Sequence, residues 1–155
     1  MPADSEAGRP ATVRLPHTWR PLGVRLAGLV FGGALLIVCA FAWFGFDESI
    51  RAKFTWVQRG TLVFLGALGF SAWFALVRSR VVATAEKLIV VNGYRRHEYE
   101  WAEVVAVHLP PGAPWAILDL DDGTTASALG IQGSDGTRAR TAVRQLRVLL
   151  DSTGR

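Results

Sequence analysis

Residues 26–46 read LAGLVFGGALLIVCAFAWFGF and contain no Asp, Glu, Lys, Arg, His, Asn, Gln or Pro. Since an α-helix rises about 1.5 Å per residue, about twenty such residues cross the hydrocarbon layer of a membrane. A second uncharged stretch, residues 60–77, reads GTLVFLGALGFSAWFALV. The two stretches predict transmembrane helices over about residues 24–46 and 60–78, joined as a membrane α-hairpin that occupies residues 18–79.

The rest of the chain has the mixed composition of a small soluble domain, which we expect at residues 80–151. The formal charge of +4 is concentrated beside the apolar stretches and on one late helix. This distribution favours a membrane surface over nucleic acid as the partner. The single cysteine, Cys39, lies within the first apolar stretch, so it excludes an intramolecular disulfide, and we interpret it as a packing residue.

The basic residues near the two stretches predict their orientation, because positively charged loops stay in the cytoplasm. The connector between the stretches has three basic residues offset by Asp47 and Glu48. We therefore expect a multi-pass protein of the plasma (inner) membrane, with cytoplasmic N and C termini. The basic residues that flank the hairpin are Arg9, Arg14, Arg20, Arg25, Arg78, Arg80 and Lys87.

A cleaved signal peptide is an alternative for the first stretch, because Arg20 and Arg25 precede it and Ala40-Phe41-Ala42 resembles a cleavage site. The apolar run continues for four residues beyond that site and is longer than a usual signal core. An uncleaved helix is therefore favoured. If cleavage occurred, the second stretch would still anchor the product.

Small residues recur every fourth position on both predicted helices, and such residues allow membrane helices to approach closely. Gly28 and Gly32 lie on the first helix, and Ala67, Ser71 and Ala75 lie on the second. We expect these residues to line the contact between the helices, with Gly28 near Ala75. The alternative, that Gly and Ala are simply common in membrane helices, stays open.

Residues 1–17 contain three prolines and no apolar periodicity, which predicts a disordered tail. Trp19 and Arg20 follow it and are expected to anchor the chain at the membrane interface. The other tryptophans near the ends of the two apolar stretches are Trp43, Trp56 and Trp73.

The soluble part consists of short β-branched runs separated by turns, a pattern typical of antiparallel strands. Asn92-Gly93 predicts a tight hairpin turn, and Asp122-Gly123 predicts another. The polar loop at residues 130–136 has room for one further short strand. A final helix over about residues 137–151 has an apolar face and an arginine-rich face, so we expect it to cover the open end of a curled sheet. The six predicted strands are residues 81–84, 87–91, 94–99, 104–109, 115–120 and 124–129.

This arrangement predicts a small α+β, mainly-β barrel of the pleckstrin-homology (PH) type, closed by a C-terminal amphipathic helix. Two membrane helices, then the segment RSRVVATAEKLIVVNG at residues 78–93, then Trp101 and Val104, resemble the actinobacterial PH-domain family of low molecular weight protein antigen 6. The resemblance covers about residues 18–151 and implies a membrane-anchored bacterial PH-like domain without catalytic residues. PH domains that bind phosphoinositides have several basic residues in and after the first hairpin loop, whereas Ala85-Glu86-Lys87 contributes only one.

Motifs for catalysis, cofactors and metals are absent from the sequence. The run 119–123, DLDDG, lacks the ligand spacing of a calcium loop and predicts a turn. The histidines His17, His97 and His108 are too dispersed in sequence to predict a metal site. Glu98 and Glu100 are expected on the solvent face of a strand. We therefore expect no cofactor, no metal and no enzymatic activity.

The arginines of the soluble part support two interpretations. They could bind anionic lipid headgroups, at about 1 kcal/mol each near a membrane surface. The interpretation that we favour is that they form the solvated face of an amphipathic helix. The candidate headgroup contacts are Arg78, Arg80, Arg140, Arg144 and Arg147.

The sequence thus predicts a non-enzymatic, membrane-anchored interaction or scaffolding module at the cytoplasmic face, with an unknown protein partner. Two alternatives remain open: a peripheral sensor of anionic lipid headgroups, and an accessory subunit of a membrane or envelope assembly.

Overall fold

The computed structural model describes residues 13–153, which form an apolar helical hairpin and a β-rich domain. The hairpin contains α1 (Gly23–Gly45), the short α2 (Glu48–Arg51) and α3 (Trp56–Arg78). None of the residues in the apolar windows of α1 and α3 is buried, and the aromatic side chain of Phe44, for example, is 78% exposed. Each helix has 23 residues, about 34 Å of rise. Both are candidate membrane spans by length and composition.

The end of the hairpin that lies far from the domain is closed by polar and aromatic contacts. A capping box starts α3. The backbone amide of Gln58 donates to Thr55 Oγ1, and the backbone amide of Thr55 donates to the side-chain Oε1 of Gln58. The Arg59 guanidinium lies 5.4 Å from the ring of Trp43 and 5.2 Å from that of Trp56. It also donates to the Arg51 carbonyl. These contacts join α1, α2 and α3 where the chain reverses direction.

The β-rich domain contains seven strands and a C-terminal helix. The strands form two antiparallel sheets, in the orders β1-β2-β3-β4 and β5-β6-β7. The strands are β1 (His17–Trp19), β2 (Arg80–Ala83), β3 (Lys87–Asn92), β4 (Arg95–Glu100), β5 (Val104–His108), β6 (Trp115–Leu120) and β7 (Thr125–Gln132). A 3₁₀ turn at Trp101–Glu103 leads from the first sheet to the second, and α4 (Thr137–Thr153) ends the described chain.

The core lies between the two sheets and α4. Leu88 of the first sheet, Leu118 of the second and Leu146 of α4 are fully buried in one cluster. The predicted apolar face of the last helix is therefore confirmed as a packing face, and its buried members are Ala139, Ala142, Val143, Leu146 and Leu149. The sheets also meet closely at Gly130, where an added β-carbon would lie 2.6 Å from the Arg80 backbone.

The fold differs from the prediction at the first strand. The seventh strand does not occupy residues 130–136, because β7 continues to Gln132 and the additional strand is β1, which precedes the hairpin. Trp19 is only 8% exposed in the domain core, and its Nε1 donates to Gln145 Oε1. The expected role of Trp19 as a membrane anchor is therefore wrong. A strand of three residues shows too little alternation to be recognised in the sequence.

The predicted tail and the predicted closed barrel also need correction. Residues 1–12 of the tail lie outside the described residues, whereas Val13 packs against the core and His17 already belongs to β1. The strands form two separate sheets instead of one closed barrel. Asn92 links these sheets through its side chain, which donates to the Ser127 carbonyl and accepts from the Leu129 amide. Asn92 is also the last residue of β3. The turn consequently begins one residue later than predicted, at Gly93.

The helical hairpin is inserted between the first two strands of the domain. In the antiparallel ladder of β1 and β2, Trp19 lies opposite Val81 and His17 lies opposite Ala83. The chain leaves β1, forms the whole hairpin and returns to the same ladder at β2. Both ends of the hairpin consequently emerge from neighbouring strands on one side of the domain.

Candidate functional site

The junction between α3 and the domain is organised by Ser79, the residue that ends the helix. Ser79 has extended backbone torsion angles and is completely buried. Its hydroxyl donates to the Ala75 carbonyl at 3.0 Å and accepts from the Gly93 amide at 2.9 Å. One hydroxyl thus satisfies a carbonyl at the helix end and an amide in the β3–β4 turn.

The β3–β4 turn also contacts α3 further along the helix. The Tyr94 hydroxyl lies 2.9 Å from Ser71 Oγ and donates to the Ser71 carbonyl at 3.1 Å. The ring of Tyr94 lies 6.5 Å from that of Phe74. Gly93, with a φ of +62°, turns the chain close to the helix, and a β-carbon added there would lie 3.2 Å from Ala75 Cβ. The turn is therefore fixed against one side of α3.

The other end of the hairpin is attached to the domain by Asp135, in the 3₁₀ turn Gly133–Asp135 that precedes α4. The Asp135 carboxylate accepts from the Leu22 amide at 3.0 Å and from the Gly23 amide at 2.7 Å. These amides belong to the N-terminal end of α1, where the helix dipole favours a negative charge. The domain thus holds both helices of the hairpin, α1 through Asp135 and α3 through Ser79 and Tyr94.

The two long helices contact each other near the domain. Trp73 of α3 donates from Nε1 to the Val24 carbonyl of α1 at 3.3 Å. Its ring lies directly over Gly28, where an added β-carbon would be 1.7 Å from Nε1. Arg25 donates to the Val77 carbonyl at 3.2 Å. Beyond these residues Gly32 and Gly33 of α1 have no neighbour within 4 Å of an added β-carbon.

A cavity of about 470 Å³ lies between β1 and the N-terminal half of α4, beside the Asp135 contact with α1. One wall comes from the chain around β1 and contains His17, Trp19 and Arg20. The opposite wall comes from α4, with Arg138, Thr141 and Gln145 among its residues. The cavity could not be predicted, because nothing in the sequence indicates that residues 17–20 lie beside residues 137–145.

Charged side chains on the solvent face of the first sheet shift the pKa of Glu98. Glu98 forms ion pairs with Lys87 and Arg96. The hydrogen bond from Lys87, aided by the charge of Arg96, holds the pKa of Glu98 below its ordinary value although the group is solvent-exposed.

Asp122, in the turn between β6 and β7, accepts hydrogen bonds from the Thr124 hydroxyl and backbone amide, which lower the pKa of Asp122. The contacts of both groups stabilise local strand or turn geometry.

Comparison with known proteins agrees with this architecture. The model of a family described as "Bacterial PH domain" matches residues 78–148. Uncharacterized proteins of Mycobacterium bovis and Mycobacterium tuberculosis are 30% identical over 138 residues, which cover 87% of this chain and 85% of each relative. The chain belongs to the bacterial PH-domain family. No solved structure matches the chain significantly.

The matched region of this bacterial PH domain begins at the end of α3, so it omits β1 and most of the hairpin. The loop at residues 84–86 lies between β2 and β3. It is therefore the second loop of the domain and not the first hairpin loop, which was expected from the sequence. The connection between the first two strands is the hairpin itself.

The small residues predicted to line the helix contact have different environments in the helical hairpin. Gly28 lies beneath Trp73, and Ser71 contacts Tyr94. Ala75 lies beside Gly93 and accepts a hydrogen bond from Ser79. The expected contact of Gly28 with Ala75 itself stays a prediction. Gly32 has no close neighbour, and Ala67 is exposed on α3.

The arginines predicted to contact lipid headgroups fall into two groups. Arg78 is exposed at the last residue of α3, and Arg80 is half-buried at the start of β2, so both lie at the junction with the hairpin. Arg140 and Arg144 are exposed on α4, where with Leu109 they border a smaller groove. Arg147 donates from Nε to the Val107 carbonyl at 2.8 Å, so it joins α4 to β5.

Among residues 13–153 there is no group of three or more His, Cys, Asp or Glu side chains that could hold a metal ion. His108 lies 3.3 Å from Asp119, as a neighbour across the β5–β6 ladder. His97 contacts the ring of Tyr99 on the same strand. His17 belongs to β1, so the three histidines occupy separate parts of the domain.

Proposed function

We propose that the chain is a membrane-anchored, non-enzymatic interaction module, whose PH domain binds a protein partner at the cytoplasmic face of the plasma membrane. The observation that carries this proposal is the pairing of β1 with β2 across the inserted hairpin. A domain whose sheet contains both flanks of the hairpin keeps these flanks on one side of a membrane. The hairpin must then cross twice or not at all.

Two crossings are supported by the exposed apolar surface of α1 and α3, which water would solvate poorly. The choice of side rests on charge. Six basic residues lie near the helices on the domain side, and three lie at the far end of the hairpin. The six are Arg14, Arg20, Arg25, Arg78, Arg80 and Lys87, and the three are Arg51, Lys53 and Arg59. The positive-inside rule therefore places the PH domain in the cytoplasm.

The rigid attachment of the domain to the helices suits a scaffold. Ser79, Tyr94 and Asp135 fix the PH domain against the hairpin instead of leaving it on a flexible linker. The gap between the two sheets leaves β4 and β5 as edge strands. An edge strand can pair with an extended segment of a partner, and such pairing is a common mode of peptide recognition.

Labelling from outside the cell tests the topology. In a Cys39→Ala background, single cysteines would replace Ser49 in the connector or Ser152 in α4. A membrane-impermeant maleimide applied to spheroplasts should label position 49 and not position 152. Labelling at position 152 in intact spheroplasts would contradict the cytoplasmic placement.

Affinity purification of the full chain in mild detergent tests whether the chain has a protein partner. Recovery of the chain alone would count against a scaffold.

A second candidate function, recognition of anionic lipid, is favoured by the arginine-lined cavity beside the start of α1. It is compatible with the same anchoring and concerns a different surface from the edge strands.

A further inference from the structure

We infer that the cavity between β1 and α4 binds the phosphate of an anionic phospholipid from the leaflet that surrounds α1. This inference rests on the proposed function, because the cavity meets lipid only if α1 crosses the membrane. Its volume of about 470 Å³ falls within the range of roughly 300–1,000 Å³ typical of small-molecule pockets. It is large enough for a phosphate and its glycerol.

The position of the cavity is set by Asp135. This residue lines the cavity and also binds the amides of Leu22 and Gly23, at the start of α1. Exposed apolar side chains lie on both sides of Gly23, with Leu22 before it and Leu26 and Leu29 after it. A headgroup in the cavity can therefore belong to a lipid whose acyl chains lie along α1.

The charge of the cavity suits a phosphate. Arg20 and Arg138 line it from opposite walls, and both side chains are exposed. Within residues 13–153 neither side chain forms an ion pair with an acidic residue. Asp135 is the acidic residue of the lining, and its two oxygens already accept the α1 amides. Guanidinium groups bind phosphate oxygens in pairs of parallel hydrogen bonds, which favours arginine at such sites.

The rest of the lining supplies neutral donors and one apolar wall. Thr18, Thr137 and Thr141 offer hydroxyl groups that can bind phosphate or glycerol oxygens. Trp19 offers a ring face, while its Nε1 is held by Gln145. Arg140 and Arg144 lie outside this cavity on the same helix, so they provide a control with equal charge.

The test uses the full-length protein in a neutral detergent and measures its midpoint of thermal unfolding. Phosphatidylglycerol should raise the midpoint of the wild type by several degrees, whereas phosphatidylcholine with the same acyl chains should not. The double variant Arg20→Gln with Arg138→Gln should lose most of this shift. The control Arg140→Gln with Arg144→Gln should retain it.

Further arms identify the ligand and guard against misfolding. Glycerol 3-phosphate and inorganic phosphate at the same concentration should produce little shift. A shift equal to that of the lipid would mean that the ligand of the cavity is a soluble anion and not a lipid. Thr141→Glu, a single change at an exposed helix position, should abolish the shift without lowering the lipid-free midpoint. Equal losses in the two double variants, or an equal effect of phosphatidylcholine, would overturn the inference.

The failure of membrane anchoring is distinguishable from the failure of the cavity. If alkaline carbonate releases the wild-type chain from membranes, the anchor itself is wrong. If the chain stays in the membrane but shows no preference for phosphatidylglycerol, only the lipid site is wrong.

Discussion

The hydroxyl of Tyr94 lies 2.9 Å from Ser71 Oγ, about two turns before α3 ends at Arg78. Tyr94 belongs to the β3–β4 turn, so a side chain of the PH domain contacts the helix within the segment expected to cross the membrane. An amphipathic ring with a polar tip is suited to headgroup depth. In the proposed topology, we therefore expect the domain to lie close against the membrane surface instead of being displaced from it.

Removing this contact should loosen the domain from the helix. We expect Tyr94→Phe and Ser71→Ala each to lower the free energy of unfolding by about 1 kcal/mol, the usual net value of one hydrogen bond. Their effects should be less than additive in a double-mutant cycle measured by denaturant unfolding in detergent. Tyr99→Phe is the control, because the Tyr99 hydroxyl has no hydrogen bond among the described residues. Additive effects of the first two changes would contradict the contact.

The contact between α1 and α3 should depend on Gly28 and not on Gly32. Gly28→Ala places a methyl group in the space that the Trp73 ring occupies, so the ring must move. The hydrogen bond from Trp73 Nε1 to the Val24 carbonyl is then lost. We expect a loss of about 1–3 kcal/mol, as for other overpacked sites. Gly32→Ala, one turn further along, meets no neighbour and should be neutral or slightly stabilising. Equal losses at both positions, measured by thermal unfolding in detergent, would disprove this arrangement.

Local patterns in the sequence were sufficient to predict the long helices, most strands and α4. The uncharged runs match α1 and α3, and the apolar spacing of Ala142, Leu146 and Leu149 matches the buried face of α4. The strand β1 was missed because its partner in the ladder lies beyond the whole hairpin, with Trp19 opposite Val81. The cavity was missed for the same reason, since its walls are distant in sequence. Pairings across such a separation leave no local pattern.

The close approach of the two sheets should make Gly130 sensitive to substitution. A methyl group there would lie 2.6 Å from the Arg80 backbone, which cannot move as a side chain can. Gly130→Ala should therefore destabilise the domain by about 1–3 kcal/mol or more, through overpacking in a well-packed core. Gly60→Ala in α3, where an added methyl group has no neighbour, is the control. An unchanged midpoint for Gly130→Ala in thermal unfolding would refute the close packing of β7 on β2.

The ion pairs of Glu98 should stabilise the domain in a pH-dependent manner. The folded-state pKa of Glu98 is lowered by the hydrogen bond from Lys87 and the charge of Arg96, so the folded state favours the ionised form. The contribution is then complete above the unfolded-state pKa and is lost as the pH falls through the folded-state pKa. The wild type should be more stable than Glu98→Gln at neutral pH, and the difference should shrink in acid and in high salt. A difference that grows on acidification would have the wrong sign.

The pairing of β1 with β2 predicts that the PH domain needs residues on both sides of the hairpin. A fragment of residues 80–153 lacks β1, so Val81 and Ala83 lose their neighbours in β1 and Trp19 is missing from the core. We expect this fragment to be poorly folded. Since Trp19 lies opposite Val81, an Asn-Gly turn in place of residues 20–80 can join the two strands as a tight hairpin.

The resulting chain, residues 13–19 joined through Asn-Gly to residues 81–153, should be soluble and should unfold cooperatively. Dispersed amide signals in NMR spectra and a single thermal transition are the expected results, and residues 80–153 alone should show neither. Trp19→Ala in the joined chain should abolish the transition, because it removes a buried aromatic side chain at a cost of about 3–5 kcal/mol in a domain of this size. A cooperative transition for residues 80–153 without β1 would show that the strand is dispensable and that the hairpin is appended to the domain instead of inserted into it.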